Sequence, residues 1–504
     1  MAFGLMALAL VALVAAAQGS AAASMDVTVD LGQTTPLAHY WKECVGSGHA
    51  LLATRVDWRS HLVNASRDLG FRRVRFHGIL DDDMSVVLNE NKTDYNYYNV
   101  FQVYDYLLSL SVQPLVELSF MPRQFVTCPE SGCQYAFNNP AGGYKGLVMP
   151  PDNFSDWYAL VNNFVHALTD RYGREEVSQW HFEVWNELWG MPFPDDYMSL
   201  YNASLRAVKD VDANYSVGGP ATMQVQDVAE FIKECDKRGL TFDFVSTHLY
   251  PTDPNCEGNS DEDCFAHVLM NTSKIVQPTG KPTFITEYND GLDNNPINHR
   301  DRAFAAAFIF HQVERLRESL ALFSWWTFTD IFEEEGMFAT PFFNQFGLQN
   351  VHGVAKPAYR AFQLLNGAGS LLASTSVPDN SVITVMPALE TTGHADNLRL
   401  YIANYRRPDF AEPPTYNLTL QVRGVTSGAT SGTATIYHLD DEHLHAFATW
   451  EQMGSPEYPT TKQLDEMRAA AELKPETITY NRDTSGHVQL TLTLQPYTAA
   501  VVVF

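Results

Sequence analysis

Apolar positions follow two rhythms along this chain. Between 35 and about 370, short runs of β-branched and aromatic residues alternate with longer stretches whose apolar residues recur at helical spacing. Candidate strands fall at 44–49, 74–78, 114–120, 181–187, 215–219, 244–250, 283–287 and 322–328. Between them the spacing predicts helices such as 97–110, 157–172, 195–211, Val228–Arg238 and 299–320. Repeated strand–helix units of this kind imply a parallel sheet, and eight of them imply an α/β fold, a (β/α)8 TIM barrel over residues 36–370. Beyond it the rhythm shortens to strand candidates at 382–386, 398–403, 416–422, 433–437 and 487–494, separated by turn residues. This pattern predicts a C-terminal β-sandwich over 371–504. The alternating MDVTVDL at 25–31 reads as a strand that joins the sandwich rather than the barrel, so 25–35 ties the two ends of the chain together. The polar interlude 440–473 turns helical over 461–471, with Thr460 or Thr461 as its cap.

Residues 1–24 are apolar and rich in Ala, Leu and Val, then small, as in a secretory signal peptide cleaved near Met25. No basic residue precedes the apolar run, which leaves an uncleaved anchor as the alternative. No other run approaches membrane-spanning length, so stable membrane insertion is not expected. The reading is a secretory-pathway protein, secreted or lysosomal/vacuolar. Six cysteines suit that compartment, and the close pairs Cys128/Cys133 and Cys256/Cys264 could each close a short disulfide loop, leaving Cys44 and Cys235 free. Neither pair has the spacing or the histidines of a zinc site, and no metal or other cofactor is expected. Sequons at Asn64, Asn91, Asn153, Asn202, Asn214, Asn271 and Asn417 suggest a glycoprotein. The net charge of -26, from 33 Lys+Arg against 59 Asp+Glu, argues against a nucleic-acid partner and fits a neutral substrate. It leaves the oligomeric state open.

Two strand candidates end in carboxylates. In WHFEVWNELWG, at 180–190, an apolar run stops at Asn186 and Glu187. A carboxyl beside tryptophans is desolvated, which raises its pKa toward what a general acid needs near neutral pH. The bland alternative is a glutamate that merely emerges into solvent at a strand end. PTFITEYND, at 282–290, repeats the design with Glu287. Two such carboxyls suit glycoside hydrolysis, in which one protonates the leaving oxygen and the other attacks or activates water. In a TIM barrel both would sit at the carboxyl-end mouth, on the fourth and seventh strands, facing one another across it.

The chain resembles the retaining glycoside hydrolases that include β-xylosidases and α-L-iduronidases. The resemblance rests on WKECVGSGHA at 41–50, VRFHGILDDDM at 74–84, PLVELSFMP at 114–122, VWNE ending at Glu187, DFVSTHLYP at 243–251, ITEYN at 285–289, SWWTFTDIFEE at 324–334 and EQMGSPEYPTTKQL at 451–464. It implies a double-displacement mechanism with Glu187 as acid/base and Glu287 as nucleophile, and Asn186 as the contact to the sugar 2-OH.

A neutral sugar offers hydroxyls and an apolar ring face, so its site needs polar side chains and an aromatic platform. His49, His77, Asn186, His248, Tyr250, Glu333 and Glu334 are candidates for the first. Trp326 is the candidate platform, with Phe120 as a second that could equally be core. Glu335 extends the charge run, so Glu333 and Glu334 read either as a solvated acidic turn or as a pair of which at least one points inward.

The leading expectation is an exo-acting β-xylosidase acting on an oligosaccharide or other glycoside. An α-L-iduronidase is the alternative within the family, but a uronate carboxylate calls for a buried cation. THLYPTDP at 247–254 carries none, leaving Arg302 or Arg360 to reach in from elsewhere. Exo-specificity for glucose, galactose or arabinose units also stays open. The alternative of another class is a non-catalytic carbohydrate-binding protein, against which the retention of both carboxylates argues.

Overall fold

The computed structural model describes residues 22–137, 144–334, 336–378, 382–395, 397–425 and 431–504. The expected leader lies outside them except for its last three residues, as does Glu335. The first strand is β1 (Ala23–Pro36), followed by β2 (Val45–His49), β3 (Arg73–His77) and β4 (Gln113–Leu118). A two-stranded hairpin, β5 (Tyr135–Ala136) with β6 (Gly146–Leu147), rises from the loop after β4. Then come β7 (His181–Val184), β8 (Ser216–Thr222), β9 (Phe244–His248), β10 (Thr283–Tyr288) and β11 (Leu322–Trp325).

Strands β2, β3, β4 and β7 to β11 close into an eight-stranded barrel in which neighbours run parallel. Each strand candidate lies on one of them, with ends displaced by up to three residues. Helices wrap the outside and bury an apolar stripe against the strands, as Trp157, Leu160, Val161, Phe164 and Leu168 do on helix Phe154–Tyr172. That helix begins three residues earlier than its spacing suggests, because Asn153 caps it through an acceptor bond from Ser155 N–H at 2.9 Å. The expected single helix 299–320 breaks into a turn, His299–Asp301, and a helix, Phe304–Leu316. Its start is drawn into buried polar contacts, His299 Nδ1 to Asp290 at 2.9 Å and Asp301 to Lys356 at 2.9 Å, which a continuous helix could not make.

The remaining strands are β12 (Leu371–Ser376), β13 (Ile383–Leu389), β14 (Arg399–Asn404), β15 (Tyr416–Arg423), β16 (Ser431–Leu439), β17 (Glu476–Arg482), β18 (Val488–Leu494) and β19 (Thr498–Val503). Strand β1 pairs antiparallel with β12 and parallel with β15, so hydrogen bonding runs around all nine strands without an edge. The two separate sheets of a sandwich are thus joined into one ring. It encloses Val27, Val29, Leu400, Leu418, Leu490 and Val502. Between β16 and β17 the chain forms helices Ala446–Gln452 and Thr461–Ala470. Thr460 caps the second one and exchanges bonds with Gln463. These helices pack on Phe342 and Val354.

Disulfides join Cys128 to Cys133 and Cys256 to Cys264, while Cys44 and Cys235 are free and buried. No helix of the described residues is long and apolar enough to cross a membrane.

Candidate active site

Strand β7 stops at Val184, and the chain turns through left-handed backbone at Trp185 and Glu187, with φ of 74° and 38°. The Glu187 N–H donates to Ala221 O at 2.8 Å, which fixes this turn against the end of β8. Glu287 sits within β10. The expectation that the two strands face one another across the mouth is corrected by the strand order: only β8 and β9 separate β7 from β10. His248, the last residue of β9, fills the interval. One carboxylate oxygen of Glu187, one of Glu287 and a ring nitrogen of His248 lie within 4.8 Å of one another.

The two carboxyls have different neighbours. Glu287 Oε1 accepts from Arg75 Nη1 at 2.5 Å and Oε2 accepts from Tyr250 O–H at 2.9 Å. Glu187 Oε1 faces His248 Nδ1 at 3.0 Å. Burial, then the positive charges of Arg75 and His77, hold His248 far below its ordinary 6.5, so the imidazole is neutral. With Nδ1–H donating to Oε1, the second oxygen of Glu187 is left to carry a proton. Burial first, then the Glu287 charge, push Glu187 well above the usual carboxylate range. Glu287 is raised by burial as well, but Arg75 and His77 pull it back. Of the two, Glu187 therefore holds its proton more tightly and Glu287 ionises first.

A pocket of about 250 Å³ holds both carboxyls. His77, Asn186, Tyr250, Trp326 and Glu334 are in its wall. Arginine can only donate, so the bond from Arg75 Nη2 at 2.7 Å fixes Oδ1 of Asn186 and leaves its amide N–H2 for a ligand. Trp326 lies against Gly46, where a Cβ would approach Cε3 to 2.5 Å, so the glycine makes room for the indole. His77 is held by Glu117 at 2.9 Å and by Glu334 at 3.2 Å. Burial opposes a charge there, yet the two carboxylates outweigh it and keep His77 cationic, well above 6.5. Glu334, half-buried beside it, is pushed up to about 6 by loss of solvation. His248 reaches the carboxyls from beneath rather than lining the pocket.

Besides His248, three expected contacts lie outside the pocket wall. Phe120 is wholly buried and packs edge-on against Trp185, with centroids 5.4 Å apart, so it is core. His49 is turned away to Asp83 at 3.0 Å and Glu333 at 3.5 Å, and stacks on Tyr144 at 4.0 Å. Glu333 therefore belongs to that outer cluster, and of the acidic pair it is Glu334 that points inward.

The residues that sequence reasoning missed are the charges beneath the site. Arg75 is fully buried and donates to Glu183 at 2.6 Å, while its Nη2 also lies 2.8 Å from Glu117. Thr286 O–H adds a bond to Glu183 at 2.8 Å. The signal was present in VRFHG, PLVEL and HFEV, since a charged residue inside an apolar strand requires a buried partner. The hairpin and the loop after Glu187 add Phe137 and Trp189 to the wall, and the loops after β11 add Phe332 and Phe346.

Residues 25–489 match the family model described as glycosyl hydrolases family 39. The chain belongs to this family. It is an O-glycosyl hydrolase, and its substrate is a carbohydrate. A β-xylosidase from Caldicellulosiruptor saccharolyticus is 32% identical over 95% of this chain and 98% of that protein. The human α-L-iduronidase is more distant, at 22% identity over 87% of this chain and 72% of that protein. Among solved structures, a family 39 β-xylosidase from Caulobacter crescentus superposes with a TM-score of 0.78, at 26% identity over 95% of this chain and 99% of that one.

Proposed function

We propose that the protein is a retaining, exo-acting β-xylosidase. The observation that carries this reading is the approach of a Glu187 oxygen to within 4.8 Å of a Glu287 oxygen. Such closeness suits direct attack, whereas inversion requires carboxyls about 6.5–9.5 Å apart to seat a water. Ionised Glu287 attacks the anomeric carbon as the glycosidic C–O bond breaks and the Glu187 proton passes to the leaving oxygen. The result is a glycosyl ester on Glu287. Its charge then gone, Glu187 ionises readily and takes a proton from water, whose oxygen displaces Glu287 from the anomeric carbon. Asn186 N–H2 offers a donor to the sugar 2-OH, and Trp326 offers a face to the ring.

The pocket wall favours xylose over iduronate, because its one cation among the described residues, His77, is already held between Glu117 and Glu334. None of the described residues lining it is a lysine or arginine. Arg75 beneath it is saturated by three carboxylates and an amide. Arg302 is engaged by Asp441 at 3.1 Å, and Arg360 by Glu472 at 2.8 Å. NMR of the sugar first released from an aryl β-xyloside tests the proposal, with β-xylose expected. First release of the α-anomer, or faster turnover of an aryl α-L-iduronide, would contradict it.

The same reading takes residues 1–24 as a cleaved leader, the mature chain as a secreted or lysosomal/vacuolar glycoprotein, and 36–370 as the catalytic body. The two disulfides fit an oxidising compartment. The nine-strand ring reads as two facing sheets, because only two residue pairs join β12 to β13 and two join β17 to β18.

A further inference from the structure

Where the chain leaves the nine-strand domain for its two helices, two histidines and a glutamate converge. His438 stands near the end of β16, His443 in the turn that follows, and Glu476 at the start of β17. Antiparallel pairing sets Glu476 opposite Ile436, close to His438, so the helical excursion leaves and returns at one place. One ligand-type atom from each of the three lies within 4.8 Å of the other two. None of them lines the catalytic pocket. Cysteine spacing does not report this place, because its donors are histidines and a glutamate joined by strand pairing.

The cluster is built around one ring. His443 Nδ1 lies 2.7 Å from Asp440 Oδ1, an oxygen that also accepts the Glu442 and His443 backbone N–H groups at 3.0 and 2.9 Å. An ionised carboxylate only accepts, so the closer nitrogen, Nδ1, carries hydrogen, and the Nε2 lone pair faces Glu476 Oε1 at 3.1 Å. Two acceptors so placed call for a cation between them, a proton or a metal ion. Two donors held tetrahedrally at about 2.0–2.2 Å from zinc lie about 3.3 Å apart, close to this separation. A carboxylate behind the far nitrogen is also how metal-binding histidines are oriented. The His438 ring stacks on His443 with centroids 4.6 Å apart. Burial, then the neighbouring His443, lower the His438 pKa from its ordinary 6.5, and a neutral imidazole is the form that binds a metal. Two imidazoles and one carboxylate suit zinc, whereas magnesium and calcium take oxygen donors.

We propose that His438, His443 and Glu476 bind one zinc ion that staples the neck of the helical excursion. The staple closes a long loop, with His443 and Glu476 33 positions apart, and closing long loops is where a metal clip gains most. The excursion also docks on the barrel near this neck, where Asp441 accepts from Arg302 Nη1 at 3.1 Å and from Ala303 N–H at 2.9 Å. The ion therefore steadies the contact between the two domains. The proposal stands apart from the β-xylosidase reading.

The test titrates zinc chloride into the chelator-stripped full chain by isothermal calorimetry, for the wild type, His438→Ala, His443→Ala and Asp440→Asn, with circular dichroism melts to verify folding. The wild type takes up zinc at this site with one ion per chain. Asp440→Asn keeps the three donors but loses the charge behind His443, and its affinity falls about tenfold. Each histidine variant falls further. Saturating zinc raises the melting temperature of the wild type by about 3 °C and of neither histidine variant, while magnesium raises none. No uptake by the wild type, or equal affinity in the wild type and both folded histidine variants, overturns the proposal. So does uptake that Glu187→Gln abolishes, since Glu187, His248 and Glu287 form a second trio with atoms within 4.8 Å and would then be the seat. Equal stabilisation by magnesium overturns ligation by imidazole. Where a histidine variant does not fold, wild-type affinity in Asp440→Asn overturns the proposal.

Discussion

Arg75 Nη1 lies 2.5 Å from Glu287 Oε1, while Glu187 has a neutral imidazole, His248, as its nearest polar partner. One cation thus separates the charge states of two carboxyls in a shared pocket. Arg75→Lys keeps a positive charge but cannot reproduce a planar fork that reaches three carboxylates and an amide at once. The expected result is a loss of kcat/KM of about 10²-fold, the cost of a displaced catalytic group. The acidic limb of the pH profile should also move up, because Glu287 with a weaker cation ionises later. An unmoved acidic limb would mean that Arg75 does not set the charge of Glu287.

Gly46 stands behind Trp326 with no space for a side chain, since a Cβ would meet Cε3 at 2.5 Å and Trp325 O at 3.1 Å. Gly46→Ala should push the indole into the pocket. Overpacking of this kind costs about 1–3 kcal/mol, read as a lower melting temperature, and KM for an aryl β-xyloside should rise. Wild-type values for both would show that Trp326 can give way without consequence.

The carboxylates could be read from the chain because each ends an apolar run, where an ionisable group needs a reason. Arg75, Glu117 and Glu183 were not found, although VRFHG, PLVEL and HFEV were in view. Their partners lie on other strands, Glu183 108 positions and Glu287 212 positions along the chain from Arg75. Strand rhythm does not report such pairings. Likewise, His49 ends a correctly identified strand and Phe120 follows another, but the packing at those strand ends aims one ring at Asp83 and buries the other against Trp185. Direction after a strand end depends on tertiary contacts, and so does the break at 299–303, which buried ion pairs impose on a helical pattern.

The roles assigned to the pair predict opposite chemical rescue. Glu187→Ala should spare aryl substrates with good leaving groups, since these need no proton, and azide should speed release of its glycosyl ester as the β-azide. Glu287→Ala should lose turnover, and azide entering from the vacated side should give the α-azide. Product anomers are distinguished by NMR, and the reverse pairing of anomers with variants would exchange the two roles.

The last prediction concerns stability. Burial and the Glu287 charge raise the Glu187 pKa in the folded state above its ordinary 4.5. Well below that value the carboxyl is neutral in both folded and unfolded chains and imposes no pH-linked cost. As pH rises, the unfolded chain sheds this proton first, so the folded state loses relative stability until the folded group ionises too. Glu187→Gln removes the titration while its amide oxygen can still accept from His248 Nδ1–H. The variant should therefore melt above the wild type at neutral pH, by roughly 2 °C if the linkage is worth about 1 kcal/mol, and the gap should close below about pH 4. It should be catalytically poor throughout, having no proton to give. Calorimetric melts across pH 3.5 to about 7.5 check the sign. A variant less stable by the same amount at every pH would mean that the Glu187 carboxyl is not held protonated against a cost, and the acid assignment would lose its physical basis.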